Sequence, residues 1–273
     1  MKKRSLLQRL LGAPYILWAV IFIIIPLLIV VYYSFTDSSG NFTLENIKNL
    51  ADYKEVFWIS IEYSLIATVI TLIISYPFAY LMSRKREHTQ RIMMMLVMLP
   101  MWMNLLIRTY SWMNILEKNG IINNLLGMLG MEPLKLIGTP GAVIFGMIYN
   151  YIPYMILPIY TVMAKIEQST LEAAEDLGSN SLSKLRRIIL PLSMPGVVSG
   201  FTMVFVPSVS TFYISQKLGG KIMLVGDAIE KQIQSLYNYN LGAALSLVLM
   251  ILILISMALM KKFAGSESDN LIV

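Results

Sequence analysis

Polar positions are so sparse along this chain that its pattern is defined by the gaps between charges. Uninterrupted stretches run over 10–36, 63–83, 136–164, 188–216 and 232–260, each long enough for the roughly 20 apolar residues of a bilayer-crossing helix. A sixth, 92–107, reaches that length only by continuing through Arg108 to about residue 113. The pattern predicts six helices, at about 13–35, 62–83, 92–113, 141–164, 196–216 and 241–260. A strand-built barrel would instead show alternating segments of about ten residues. The expected fold class is therefore an all-α integral membrane protein, a single domain over residues 1–273, with its most polar internal loop at 165–195.

Composition agrees with this reading. Of the 273 residues 56% are hydrophobic and 14% charged, against about 45–50% and 25% in soluble domains. The net charge of +6 would suggest a nucleic-acid partner in a soluble chain, but so little of this one looks exposed that no nucleic acid is expected. With no cysteine and one histidine, His88, disulfides, thiol nucleophiles, Cys-based metal sites and His pairs are excluded; no metal and no cofactor of its own is expected.

Charge does fix an orientation. With the N-terminus inside, fourteen Lys and Arg fall on the inner side: Lys2, Lys3, Arg4 and Arg9, the 84–91 loop, the 165–195 loop, and Lys261 and Lys262. Seven fall outside, Lys217 among them, and Arg108 lies within a span. By the positive-inside rule both termini are cytoplasmic. The apolar run from Gly12 to Phe35 is too long for a signal core and lacks a small-x-small cleavage site, so it reads as a retained anchor. Six intramembrane prolines, Pro26, Pro77, Pro100, Pro153, Pro158 and Pro207, predict kinked helices around a pathway, because each frees a carbonyl that needs a partner.

The 165–195 loop carries explicit local signals. Ser169 and Glu172 have capping-box spacing. Glu172, Glu175 and Asp176 then lie along a short helix, and Gly178 supplies a left-handed stop. Ser181 offers a second N-cap for a segment that carries Lys184, Arg186 and Arg187 and is expected to end at Pro191. Leu171, Ala174 and Leu177 form an apolar strip without an evident core. Either a cytoplasmic partner or the membrane surface would cover it.

Glu172-Ala173-Ala174, three residues, Gly178, nine residues, then Ile188-Ile189-Leu190-Pro191 resembles the EAA signature of ABC importer permeases at each defining position. The resemblance implies a type I ABC importer permease core, N-in and C-in. It also implies that Glu172, Ala173, Ala174 and Gly178, with Ile188, Leu190 and Pro191, form the element coupling the membrane helices to a separate ATPase. Leu99-Pro100-Met101-Trp102, the Leu106 to Trp112 run, Gly120-Ile121-Ile122-Asn123 and Val206-Pro207 through Leu218-Gly219-Gly220 look like the spermidine/putrescine importer subfamily, specifically its first permease subunit. The same resemblance implies a multi-pass protein of the bacterial plasma membrane. Its partners would be a cytoplasmic ABC ATPase dimer binding ATP and Mg, a homologous second permease and an extracellular substrate-binding protein. A permease for another small solute, and an autonomous channel or carrier, remain alternatives.

A polyamine is held by carboxylates and aromatic faces. The spans offer aromatics but almost no carboxylate; Glu62, Asp227 and Glu230 lie at their outer edges. A weak aromatic and polar route is expected, with affinity residing in the binding protein. Trp102, Asn104, Phe212 and Tyr213, beside Pro100 and Pro207, are the pathway candidates, whereas most other aromatics suit an interfacial belt. Arg108 is expected to snorkel to the interface or pair with Glu117. No Gly-x-x-x-x-Gly-Lys-Ser/Thr loop occurs, so ATP chemistry would come from another chain. An embedded enzyme, or a channel or proton-coupled carrier, would need carboxylates or histidines at membrane depth, which this sequence lacks.

Overall fold

The computed structural model describes residues 14–268; Lys2, Lys3, Arg4 and Arg9 of the charge count, and residue 13 of the first expected span, lie outside them. Within the described residues the chain is helical, and an isolated bridge between Thr36 and Phe42 is the only extended pairing. Five helices are long and apolar enough to cross a bilayer: α1 (Pro14–Ser34), α2 (Glu45–Ser83), α6 (Pro140–Met163), α8 (Ser181–Val209) and α11 (Tyr239–Ser268). A sixth span exists only as a bent pair, α3 (Glu87–Trp102) and the stretch Leu105–Met128, which opens with α4 (Leu105–Leu116), the two members meeting at 88°. Short helices α5 (Ile121–Met128), α7 (Gln168–Asp176), α9 (Tyr213–Leu218) and α10 (Val225–Glu230) complete the set.

Two departures from the sequence pattern have clear causes. The expected helix over 92–113 is broken because Pro100 brings no N–H: Leu99–Trp102 tightens into a 3₁₀ turn, Met103 is extended, and Asn104 Oδ1 accepts the Leu106 N–H (2.8 Å) to start α4 afresh. The expected span over 196–216 instead begins at Ser181, so the loop at 165–195 is shorter than predicted. Pro191 does not end the helix, because a π turn at Leu185–Ile189 widens the backbone just before it. Pro26 is preceded by the same device at Val20–Ile24. Span five then stops at Val209 rather than 216, and Tyr213–Leu218 forms a separate helix.

The chain divides into two compact units. In the first, described over 14–55 and 228–251, amides satisfy carbonyls at and just beyond the end of α1, with Asn240 Nδ2 donating to Tyr33 O (3.2 Å) and Asn46 Nδ2 to Ser34 O (3.3 Å). Asn240 Nδ2 also donates to the Thr36 carbonyl (2.6 Å), and Asn46 Nδ2 donates to the same oxygen (2.9 Å).

The second unit, described over 56–227 and 252–268, centres on α6 against α8. Gly196 and Gly200 let the two backbones approach: a Cβ on Gly196 would lie 2.8 Å from the Pro158 carbonyl oxygen and 3.0 Å from Ile159 Cα. Along α2, Ser60, Ser64, Thr68, Thr71 and Ser75 are fully buried, and Thr68 and Thr71 return their hydroxyls to the carbonyls four residues back (both 2.6 Å). Buried Asn123 closes the segment after α5. Its amide donates to Glu117 O and Leu134 O (both 3.0 Å) and its Oδ1 accepts the Leu134 N–H (2.8 Å). Since an orphaned buried group costs about 1–3 kcal/mol, Asn123→Ala should lower the thermal midpoint of the purified protein markedly, with Asn123→Asp intermediate. Equal midpoints for all three proteins would show that this clamp contributes nothing.

Candidate functional site

The first candidate is the short helix α7 and the turn after it. Its N-cap is Glu167, and no side chain caps it; Ser169 Oγ bonds Glu167 Oε2 (3.1 Å), so the expected Ser169–Glu172 capping box does not form. The helix starts two residues too early for Ser169 to occupy the cap. Its C-terminus does follow the sequence signal. Gly178 has φ +80°, its N–H reaches Glu175 O (2.8 Å), and the Ser179 N–H reaches Ala174 O (2.9 Å). These are the paired bonds of a Schellman stop. The next helix is capped by Asn180, whose Oδ1 accepts from Ser183 N–H (2.8 Å), not by Ser181, which is its first residue. Lys184 and Glu175 pair across the turn and tie the two helices together.

The apolar strip divides. Leu171 (5% exposed) and Ala174 (8%) are covered by this chain, whereas Leu177 is 87% exposed. Leu171 joins the cluster of Met82, Met155, Ile159, Met163 and Ile189. That correction has a physical source: the core covering it comes from α2, α6 and α8, remote in sequence. Glu172, Ala173, Asp176 and Leu177 face outward, as does Leu182. Ile188, Leu190 and Pro191 fall at the π turn and the start of the α-helical run, in the helix that carries on to Val209.

Sequence reasoning missed the residues that fix this region to the spans. Arg84, counted only for orientation, donates from Nη1 to Ile166 O (3.1 Å) and from Nη2 to Met163 O (3.2 Å), capping the carbonyl end of α6 just before α7. Tyr160 donates to Gln90 Oε1 (2.8 Å), and Gln90 Nε2 donates to Ser83 O (3.1 Å) and Lys85 O (2.8 Å). An Arg directly after an apolar span was the one available signal, and its partners could not be read from sequence.

The second candidate region is the broken span with α9. Trp102 lies at the break and is 74% exposed; Asn104 spends its side-chain oxygen on the α4 cap. Phe212 precedes α9 and is exposed. Of the four pathway candidates, Tyr213 has the most developed surroundings. Positions 214 and 218 point Ile214 and Leu218 into the core against Val143 and Met147, so Tyr213 and Lys217, also four apart, share another stripe of α9. The Tyr110 ring of α4 meets that stripe edge-on, 6.1 Å from the Tyr213 ring, and Lys217 Nζ lies 5.1 Å and 5.6 Å from the two centroids. Nearby, Gly226 packs so closely on the chain break that a Cβ would lie 2.6 Å from Ser210 O and from Thr211 O. Val225 N–H donates to Ser60 Oγ (2.8 Å) and Leu224 N–H to Asp227 Oδ2 (2.8 Å), so that carboxylate is engaged with backbone.

Arg108 neither snorkels nor pairs with Glu117. It is 8% exposed, its Nε and Nη1 make no hydrogen bond, and no ion pair among the described residues includes it. The break after Trp102 is the reason: it restarts the helix at Leu105, and the turn holding Arg108 and Thr109 faces the interior. Among the described residues no group of His, Cys, Asp and Glu could hold a metal ion.

Residues 75–265 match the family described as "Binding-protein-dependent transport system inner membrane component". The spermidine/putrescine transport system permease protein PotB of Haemophilus influenzae is 39% identical over 251 residues, 88% of each chain. PotB of Escherichia coli K12 is 36% identical over 84% of this chain and 88% of its own. The inner membrane ABC transporter permease protein YdcU of Escherichia coli K12 is 27% identical over 87% and 82%. Two crystal structures share the fold. One is a bacterial ABC transporter importing the acidic polysaccharide alginate (TM-score 0.77, 15% identity, 95% of both chains). The other is a bacterial alginate ABC transporter with its pentasaccharide-bound periplasmic protein (TM-score 0.74, 15% identity, 93% and 92%).

Proposed function

The chain belongs to the family of binding-protein-dependent transport system inner membrane components, and from that premise we propose that it carries spermidine and putrescine across the bacterial inner membrane as one permease of an ATP-driven importer. It is a multi-pass subunit of transport rather than an enzyme. The observation that carries the cargo is the 39% identity, over 88% of each chain, to a permease named for spermidine and putrescine. The scarcity of intramembrane carboxylates fits a route that passes a polycation on without trapping it, loaded by a separate extracellular binding protein.

ATP and Mg would be bound by a cytoplasmic ATPase dimer, and the second cleft of that dimer by a homologous permease. Glu172, Ala173, Asp176 and Leu177, outward on α7, would engage the ATPase. Leu171 and Ala174, inward, would pass its movement to the cluster beneath. Lys184, paired with Glu175, would pass it to α8, whose continuity from Ser181 to Val209 makes it a lever reaching through the membrane. Gly178 keeps the two helices at a fixed angle.

Co-purification from the native membrane is expected to yield an ATPase, a second permease and a capturable binding protein. Uptake by the reconstituted complex should be competed by unlabelled spermidine and putrescine and not by sugars or neutral amino acids. Uptake indifferent to excess polyamine would overturn the cargo assignment, and recovery of the chain without an ATPase would overturn the coupling.

A further inference from the structure

Lys217 carries the same chemical group as the ends of a polyamine, a primary ammonium on an alkyl chain, and it sits over two tyrosine faces. Its Nζ is 5.1 Å from the Tyr110 centroid and 5.6 Å from that of Tyr213, and the rings meet at 79°. Two edge-to-face rings offer a cation a concave π surface. We propose that Tyr110 and Tyr213 form a receptor for the primary ammonium groups of the cargo, and that Lys217 is its tethered occupant, displaced as the cargo passes.

Three observations support the assignment. Both tyrosines are accessible: Tyr110 is 43% exposed and Tyr213 partly so. Their side chains hydrogen-bond each other, and α9 itself is fixed by the backbone and core, being anchored through Ile214 and Leu218 and by Gly138 N–H donating to Leu218 O (2.9 Å). The rings therefore keep their places when the lysine leaves. And no salt bridge among the described residues engages Lys217, so its flexible stem can swing away by exchanging its hydrogen bond with the Tyr110 side chain, without breaking an ion pair.

The arrangement also answers an electrostatic difficulty. A fixed cation beside a polycation's route would repel it, but a lysine that exchanges places with an incoming ammonium keeps the charge at the rings constant. Lys217 lies on the outer side by the charge count, so the exchange would occur where cargo enters. An empty aromatic cage would bind more tightly and release more slowly; the tethered competitor sets a moderate affinity.

The proposal rests on the polyamine reading, and its test separates the two. Equilibrium binding of labelled spermidine and putrescine is measured on the intact permease and ATPase complex without binding protein, with uptake measured in parallel. Lys217→Met should bind spermidine about threefold or more tightly, the scale of one cation–π contact. Adding Tyr110→Leu and Tyr213→Leu should abolish that gain, whereas Tyr110→Phe with Tyr213→Phe should keep it, because the ring face does the binding. Lys217→Gln serves if the methionine variant is not assembled. Unchanged or weaker binding by the lysine variants, in a complex whose wild type takes up spermidine, overturns the receptor and leaves the cargo assignment standing. A wild type that takes up no polyamine overturns the cargo, and butylammonium binding then tests the cage by the same comparison.

Discussion

Replacing Gly196 with valine is expected to prevent the permease from accumulating as a folded protein. The added Cβ would lie 2.8 Å from the Pro158 carbonyl oxygen and 3.0 Å from Ile159 Cα, and both are backbone atoms of α6 that no rotamer change can move. The cost exceeds the about 1–3 kcal/mol typical of overpacking, since it separates the two helices on which the larger unit is built. Gly200 provides the internal comparison. A Cβ there meets the Met155 sulfur at 2.8 Å and the Met155 carbonyl oxygen at 3.1 Å, and the first of these can swing aside. Alanine at either position also gains about 1 kcal/mol of helix propensity over glycine, which partly offsets the smaller clash. The expected order of thermal midpoints in detergent is therefore wild type, Gly200→Ala, Gly196→Ala, with Gly196→Val absent from the folded fraction on size exclusion. A Gly196→Val protein as stable as wild type would mean that the α6–α8 approach is not what holds this unit together.

What the sequence could and could not reveal divides along a physical line. Apolar gaps between charges locate α1, α6 and α11 because lipid contact imposes the same requirement on every residue of a span. The break at Met103 and Asn104 escaped that logic: hydropathy is continuous across it, and only the pairing of Pro100 with a capping Asn104 marks it. Pro191 misled in the opposite sense, because a π turn can absorb a proline and hydropathy carries no sign of one. In the hairpin, Gly178 was legible since a left-handed stop is a local matter, while the cap at Glu167 depends on where the helix begins, which tertiary packing decides. The burial of Leu171 depends on Met82, Ile159, Met163 and Ile189, and a local strip cannot tell whether its cover is its own chain or a partner. Tyr213 was singled out for its nearness to Pro207, yet its meeting with Tyr110 and Lys217 depends on the break that frees α9 from span five.

A substitution of Gly178 should disconnect ATP hydrolysis from uptake without unfolding the permease, and the reason lies in the backbone rather than in bulk. Gly178 has φ +80°, and a Cβ there would meet nothing within 4 Å. Steric clash is therefore not the mechanism; an L residue held in the left-handed region costs about 1–2 kcal/mol, and the helix stop relaxes to avoid it. Relaxation breaks the Ser179 N–H to Ala174 O bond and changes the angle between α7 and the helix that continues to Val209. Gly178→Val is expected to insert and co-purify normally but to lose about tenfold in uptake, the effect of some 1.4 kcal/mol. Gly178→Asn, which tolerates this conformation, should retain most of it. Glu172→Ala probes the outward face independently, because Glu172 is exposed and no hydrogen bond or ion pair described within the chain involves it; its loss should lower ATP-driven uptake while leaving the thermal midpoint unchanged. The decisive comparison is valine against asparagine. If both Gly178 variants fail equally, side-chain bulk against the partner is the cause, and if Gly178→Val and Glu172→Ala both transport as wild type, α7 is not the coupling element.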